Sequence, residues 1–166
     1  MGRIEDLAGH LVGLDTAPLI YYVEANPAYS LRVDPFFDAL ERGEMRVVTS
    51  IVTLIETSVQ PIRRGDARLA VRYESLLLDT AYIDTIDVDV AIAREAARLR
   101  ATHNLRTPDA IQLATAIQAG ATAFITNDVR LAVVPNLNVI VPDALPSQLP
   151  PYVGPDEGQF GQHVQR

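Results

Sequence analysis

Short apolar runs alternate along this chain with longer stretches whose apolar residues recur every three or four positions. The runs at 10–14, 46–49, 82–86, 123–125 and 137–141 read as short buried strands. Helices are predicted over 17–24, 29–42, 66–79 and 107–119, with a short one at 128–133. Two more start from capping residues: one from Ser50 through Glu56 towards Arg64, the other from Asp87 through Arg100. Pro18 is tolerated in a first helical turn, Asn26-Pro27 is a break, and Pro61 marks a kink or an end. Thr107-Pro108-Asp109 combines an N-cap, a proline at the first helical position and a first-turn acid, and Gly120 is the matching stop. Strands alternating with helices predict one α/β domain built on a parallel sheet, whose ligands bind at the carboxyl ends of the strands. The domain is predicted over residues 10–145, between a leader at 1–9 and a Pro/Gly-rich tail at 146–166 predicted to be disordered. There is no internal repeat.

Composition narrows this picture. A chain of 166 residues suffices for one domain with a proper core, and its 48% hydrophobic content is ordinary. No apolar run approaches the roughly 18 residues that a membrane span needs. Cysteine is absent, which removes disulfides and thiolate metal sites, and residues 1–6 are too acidic for a signal peptide. These features point to the cytoplasm and away from a membrane. The net charge of −7 argues against a generic nucleic-acid binder, but an acidic metal pocket contributes to that charge until cations fill it. All 14 basic residues are Arg, which reads as compositional bias.

Four acids stand where acids are poorly placed for building a core. Asp15 ends the first strand, and Glu56 interrupts the apolar stretch around Val52, Leu54 and Ile55. Asp109 opens a helix, and Asp128 closes the run Phe124-Ile125-Thr126-Asn127. Taken singly, each has a structural reading as a cap, a helix-dipole residue, a helix-surface acid or a turn acid. Together, on or just beyond strand ends, all four reach one edge of a parallel sheet. Hard divalent cations take oxygen ligands, so Mg²⁺ or Mn²⁺ is the implied partner. Two such ions about 4 Å apart clamp the attacking and leaving oxygens of a phosphodiester. No zinc-type His spacing, Walker loop or dinucleotide-binding glycine pattern competes.

The stretches Gly13-Leu14-Asp15-Thr16, Ser50 to Glu56, Thr107 to Ala116 and Ile125-Thr126-Asn127-Asp128 resemble, in order and spacing, the PIN-domain ribonucleases. Within them the chain is most similar to VapC-type toxins of type II toxin–antitoxin pairs. The resemblance spans roughly residues 10–142. It implies a PIN-like three-layer α/β/α fold with a central five-stranded parallel sheet, Mg²⁺- or Mn²⁺-dependent RNA cleavage, an antitoxin partner and a homodimer. Asp15, Glu56 and Asp109 match the family's three central metal-binding acids, and Asp128 matches its more variable fourth. Thr126 and Asn127 match a polar turn beside that acid, and Thr16 is placed to orient Asp15. The reaction implied is in-line hydrolysis leaving a 5′-phosphate and a 3′-hydroxyl.

Arg63, Arg64 and Arg68 are candidate contacts to RNA phosphates, with a solvated helix face as the alternative. Tyr21 and Tyr22 suit either base stacking or packing on a neighbouring helix. Two rival functions are a non-catalytic PIN-like interaction module and a DNA-directed nuclease of the related flap-endonuclease superfamily. No segment is long enough for the helical arch of the latter.

Overall fold

The structure, a computed structural model, describes residues 7–135 and 137–141. The tail at 146–166 and most of the leader lie outside the described residues. Five strands form a single parallel sheet: β1 (Leu11–Leu14), β2 (Arg46–Ser50), β3 (Ile83–Ile86), β4 (Ala123–Ile125) and β5 (Asn138–Ile140). Their order is β3-β2-β1-β4-β5, so β1 is central, with β2 on one side and β4 on the other.

Parallel neighbours need crossover connections, and these carry the helices α1 (Thr16–Val23), α2 (Ser30–Glu41), α3 (Val52–Arg64), α4 (Ala67–Leu78), α5 (Val90–His103) and α6 (Thr107–Gln118). A short 3₁₀ helix (Val129–Val133) follows β4. Side chains alternate across the strands into two cores. Val12, Leu14, Val47 and Ile125 pack with Leu19, Phe36, Phe37, Tyr73 and Leu77 of α1, α2 and α4. Val48 and Phe124 pack with Leu99, Leu113 and Ala114 of α5 and α6. Both faces of the sheet are therefore covered, which is why the strands read as buried runs. The architecture is the three-layer α/β/α arrangement that the sequence predicts.

Gly13, in the middle of β1, sets how closely α6 lies on the sheet. A Cβ there would stand 2.6 Å from the Cβ of Ala116 and 2.5 Å from Cδ2 of Phe124. Ala116 shares a helical face with Gln112 and Asp109, so the close approach also carries those two residues down onto the strand ends.

Several helix starts differ from the sequence expectation. Ser50 stays in β2, paired with Ile86, so the N-cap of α3 is Ile51, although the Ser50 hydroxyl still accepts from Val52 N at 3.2 Å. Asp89, not Asp87, caps α5, accepting from Ile92 N at 2.8 Å. Arg106 occupies the N-cap of α6, which makes Thr107 its first residue. Pro61 does not end α3: the helix continues to Arg64 and closes on Gly65. Among the described residues no helix is long and apolar enough to cross a membrane.

Candidate active site

The carboxyl ends of β2, β1 and β4 lie side by side, and the predicted acids sit just beyond them. The backbone N–H of Asp15 donates to Ile125 C=O at 2.9 Å, prolonging the β1–β4 ladder by one rung and locking that backbone in place. The Asp15 carboxylate caps α1, accepting from Thr16 N at 2.8 Å, and accepts from the Thr126 hydroxyl at 2.5 Å. Glu56 projects from α3 and accepts a hydrogen bond from the Thr16 hydroxyl. Asp109 lies in the first turn of α6. Asp128 is the N-cap of the 3₁₀ helix and forms an ion pair with Arg130.

Electrostatics tie these positions together. Burial pushes the Asp15 carboxyl up from 3.8 to about 6. The hydrogen bonds from Thr126 and Thr16 N oppose that rise, and the charges of Asp109 and Glu56 add to it. Asp109 is also raised, by burial first, with Arg106 opposing, Asp128 adding and Arg130 opposing. Asp128 is lowered, chiefly by its hydrogen bond from Arg130. Asp15 thus feels Glu56 and Asp109, and Asp109 feels Asp128.

The donors are all hard carboxylate oxygens, a set that suits Mg²⁺ or Mn²⁺. Among the described residues neither Asp15 nor Glu56 has an Arg in ion-pair contact, so their charges have no protein counter-ion. Chemically the residues fit a hard divalent cation. As the side chains stand, however, no three acidic or histidine groups among the described residues are arranged to hold a metal ion. Asp15 is held by Thr16 and Thr126, Glu56 by Thr16, and Asp128 by Arg130.

The supporting residues divide their roles differently from the expectation. Thr16 orients Asp15 through its backbone N–H, while its hydroxyl serves Glu56. Thr126 holds Asp15 and also accepts from Asp128 N at 3.0 Å. Asn127 turns away to donate to the Tyr21 hydroxyl at 2.9 Å. Tyr21 stacks on Tyr29 and Tyr22 on Phe37, which is the packing alternative of the two readings. Arg63, Arg64 and Arg68 are exposed at the end of α3 and the start of α4, Arg63 lying two helical turns beyond Glu56.

Three further residues escaped the sequence reading. Gln112 is buried among hydroxyls of α1, β2 and α3. Its signal was a polar side chain between Ile111 and Leu113, one turn after Asp109. Arg106 and Arg130 lie close enough to Asp109 and Asp128 for their charges to act on both acids. Their signal was adjacency, since Arg106 precedes Thr107-Pro108-Asp109 and Arg130 follows Asp128 by two positions.

A family model for the PIN domain matches residues 12–137, which contain most of both cores and all four acids. The chain belongs to the PIN domain family. Solved structures share the fold of this PIN domain. A toxin–antitoxin complex from Klebsiella pneumoniae aligns with a TM-score of 0.61 at 25% identity, over 82% of this chain and 100% of that one. VapC20 of Mycobacterium tuberculosis, described as a sarcin–ricin loop cleaving toxin, aligns with a TM-score of 0.62 at 18% identity, over 74% and 93%. FitAcB from Neisseria gonorrhoeae aligns with a TM-score of 0.58 at 20% identity, over 81% and 99%. No curated protein matches the chain significantly in sequence.

Proposed function

We propose that this PIN domain is a Mg²⁺- or Mn²⁺-dependent endoribonuclease and the toxin of a cytoplasmic toxin–antitoxin pair. One observation carries the catalytic reading. Asp15, Glu56 and Asp109 come from three elements to the carboxyl edge of the sheet, near enough for the latter two to raise the pKa of the first, with no cation among the described residues in ion-pair contact with Asp15 or Glu56. PIN domains of VapC toxins are nucleases, and PIN nucleases generally use divalent metals. Asp15, Glu56 and Asp109 would hold the cation, with Asp128 assisting. When bound, the cation supplies Lewis-acid stabilisation of charge on the phosphodiester and eases deprotonation of the attacking water.

The chain's own residues do the rest. Thr126 and Thr16 keep the Asp15 carboxylate aimed along one direction. Arg106 and Arg130 place two guanidinium groups beside the acids, where they are suited to the flanking phosphates of an RNA strand. Arg63, Arg64 and Arg68, exposed at the end of α3 and the start of α4, are further candidates for phosphate contact. The toxin reading is supported by the Klebsiella pneumoniae toxin–antitoxin complex, whose matched chain this one covers in full. An antitoxin segment would then cover the acidic cleft, and the toxin would pair as a homodimer.

The test is cleavage of a panel of single-stranded and structured RNAs with Mn²⁺, Mg²⁺ or EDTA, comparing wild type with Asp15→Asn. Metal-dependent cleavage that disappears in the variant is the expected result. Folded, Mn²⁺-binding protein that cleaves no RNA, and whose expression leaves growth unaffected, would instead favour an inert interaction module.

A further inference from the structure

Gln112 is only 2% exposed, on a helix whose other buried side chains are alanines, Leu113 and Thr115. A buried amide without partners is costly, so a Gln here needs the hydrogen bonds it can make. Its Oε1 accepts from Ser50 N at 3.1 Å and lies 3.3 Å from the Thr49 hydroxyl, whose single proton points to the nearer Leu14 C=O at 2.9 Å. Its Nε2 donates to the Thr53 hydroxyl at 2.5 Å and to the Thr16 hydroxyl at 3.3 Å. The backbone N–H of Ser50 can only donate, which fixes the orientation of the amide.

That orientation fixes which hydroxyls accept from the amide. Nε2 only donates, so Thr16 and Thr53 must accept from it. Thr53 is then free to donate to Thr49 at 2.8 Å, and Thr49 to Leu14 C=O at 2.9 Å. The one hydroxyl proton of Thr16 is left for Glu56. The relay therefore runs from α6, which carries Asp109, through the first residue of α1 to the acid on α3.

We propose that Gln112 is a positioning residue that acts through Thr16 to hold Glu56 in place for the divalent cation. This rests on the metal-dependent reading above. It assigns to Gln112 no contact with metal or RNA.

The test is Mn²⁺ affinity, measured by calorimetry and by electron paramagnetic resonance of the free ion, for wild type, Gln112→Met, Thr16→Val, Thr16→Ser and the double variant Gln112→Met/Thr16→Val. Residues that support metal ligands from behind cost about ten- to a hundredfold in affinity when removed. Gln112→Met and Thr16→Val are each expected to weaken Mn²⁺ binding by that factor. The double variant should be no weaker than the worse single one, and Thr16→Ser should bind as wild type does. A merely structural Gln112 would lower the melting temperature without this coupling. Folded Gln112→Met that binds Mn²⁺ as tightly as wild type, or two effects that multiply, overturns the proposal. Should Gln112→Met not fold, Thr16→Val decides the matter: unchanged affinity overturns the relay, and a loss restored by Thr16→Ser supports it. Wild type that binds no Mn²⁺ overturns the metal-dependent reading and this proposal with it, whereas wild type that binds beside variants that bind equally overturns this proposal alone.

Discussion

Asp15 is the residue on which local physics and proposed chemistry conflict most directly. Its carboxyl, pushed up to about 6 from 3.8, holds a proton more tightly in the folded chain than in the unfolded one. Between those two values the folded state binds the extra proton. The stability linked to this group is therefore present at low pH and lost as pH rises through about 6. Asp15→Asn removes that titration. In EDTA, the melting temperature of the variant relative to wild type is expected to climb from about pH 4 and level off above about pH 6, and calorimetry across that range checks it. A difference that stays flat with pH would contradict the burial of this carboxylate. Asp109→Asn tests the same cluster by activity: the fold should persist, with metal-dependent cleavage reduced on the order of a hundredfold or more, since even supporting residues cost ten- to a hundredfold. Tyr29 is a purely structural counterpart. Its hydroxyl is buried with no hydrogen-bond partner among the described residues, so Tyr29→Phe is expected to stabilise the protein by about 1 kcal/mol in a denaturant titration.

Elements are placed by contacts that single residues permit. The close seating of α6 on β1 depends on Gly13, because a methyl group there would overlap Ala116 and Phe124. Gly13→Ala is expected to cost roughly 1–3 kcal/mol, the usual range for overpacking a tight core. Adding Ala116→Gly should recover part of that loss, and thermal melts of the single and double variants measure both. The element boundaries show how far local signals reach. Asp87-Val88-Asp89 offers two cap candidates, and Asp89 takes the role, its carboxylate accepting from Ile92 N. Ser50 has the chemistry of a cap, but pairing with Ile86 keeps it in the strand. Pro61 is tolerated inside α3, and Thr57, one turn before it, is buried with its hydroxyl turned back to Thr53 C=O. Each difference arises where a tertiary contact competes with a local preference of comparable size.

At the scale of the whole molecule, the chain carries a formal charge of −7, and part of it is held at one end of the central strands. A cation that binds only the folded state stabilises it by mass action, by about 2.7 kcal/mol at a hundred times the dissociation constant. For a domain of this size that corresponds to a rise of roughly 5–10 °C in melting temperature. Mn²⁺ is expected to produce such a rise in wild type and to lose most of it in Asp15→Asn, by differential scanning fluorimetry against EDTA. The α/β class, the order of strands and helices, and the four acids as candidates were all legible in the sequence, because apolar periodicity and misplaced charges are local properties. The side-by-side order of the strands in the sheet was not. It brings Thr126 to Asp15 across 111 positions and Gln112 to Thr16 across 96. Those partners are chosen by which strands adjoin and how closely α6 can approach them, and no spacing along the chain records either.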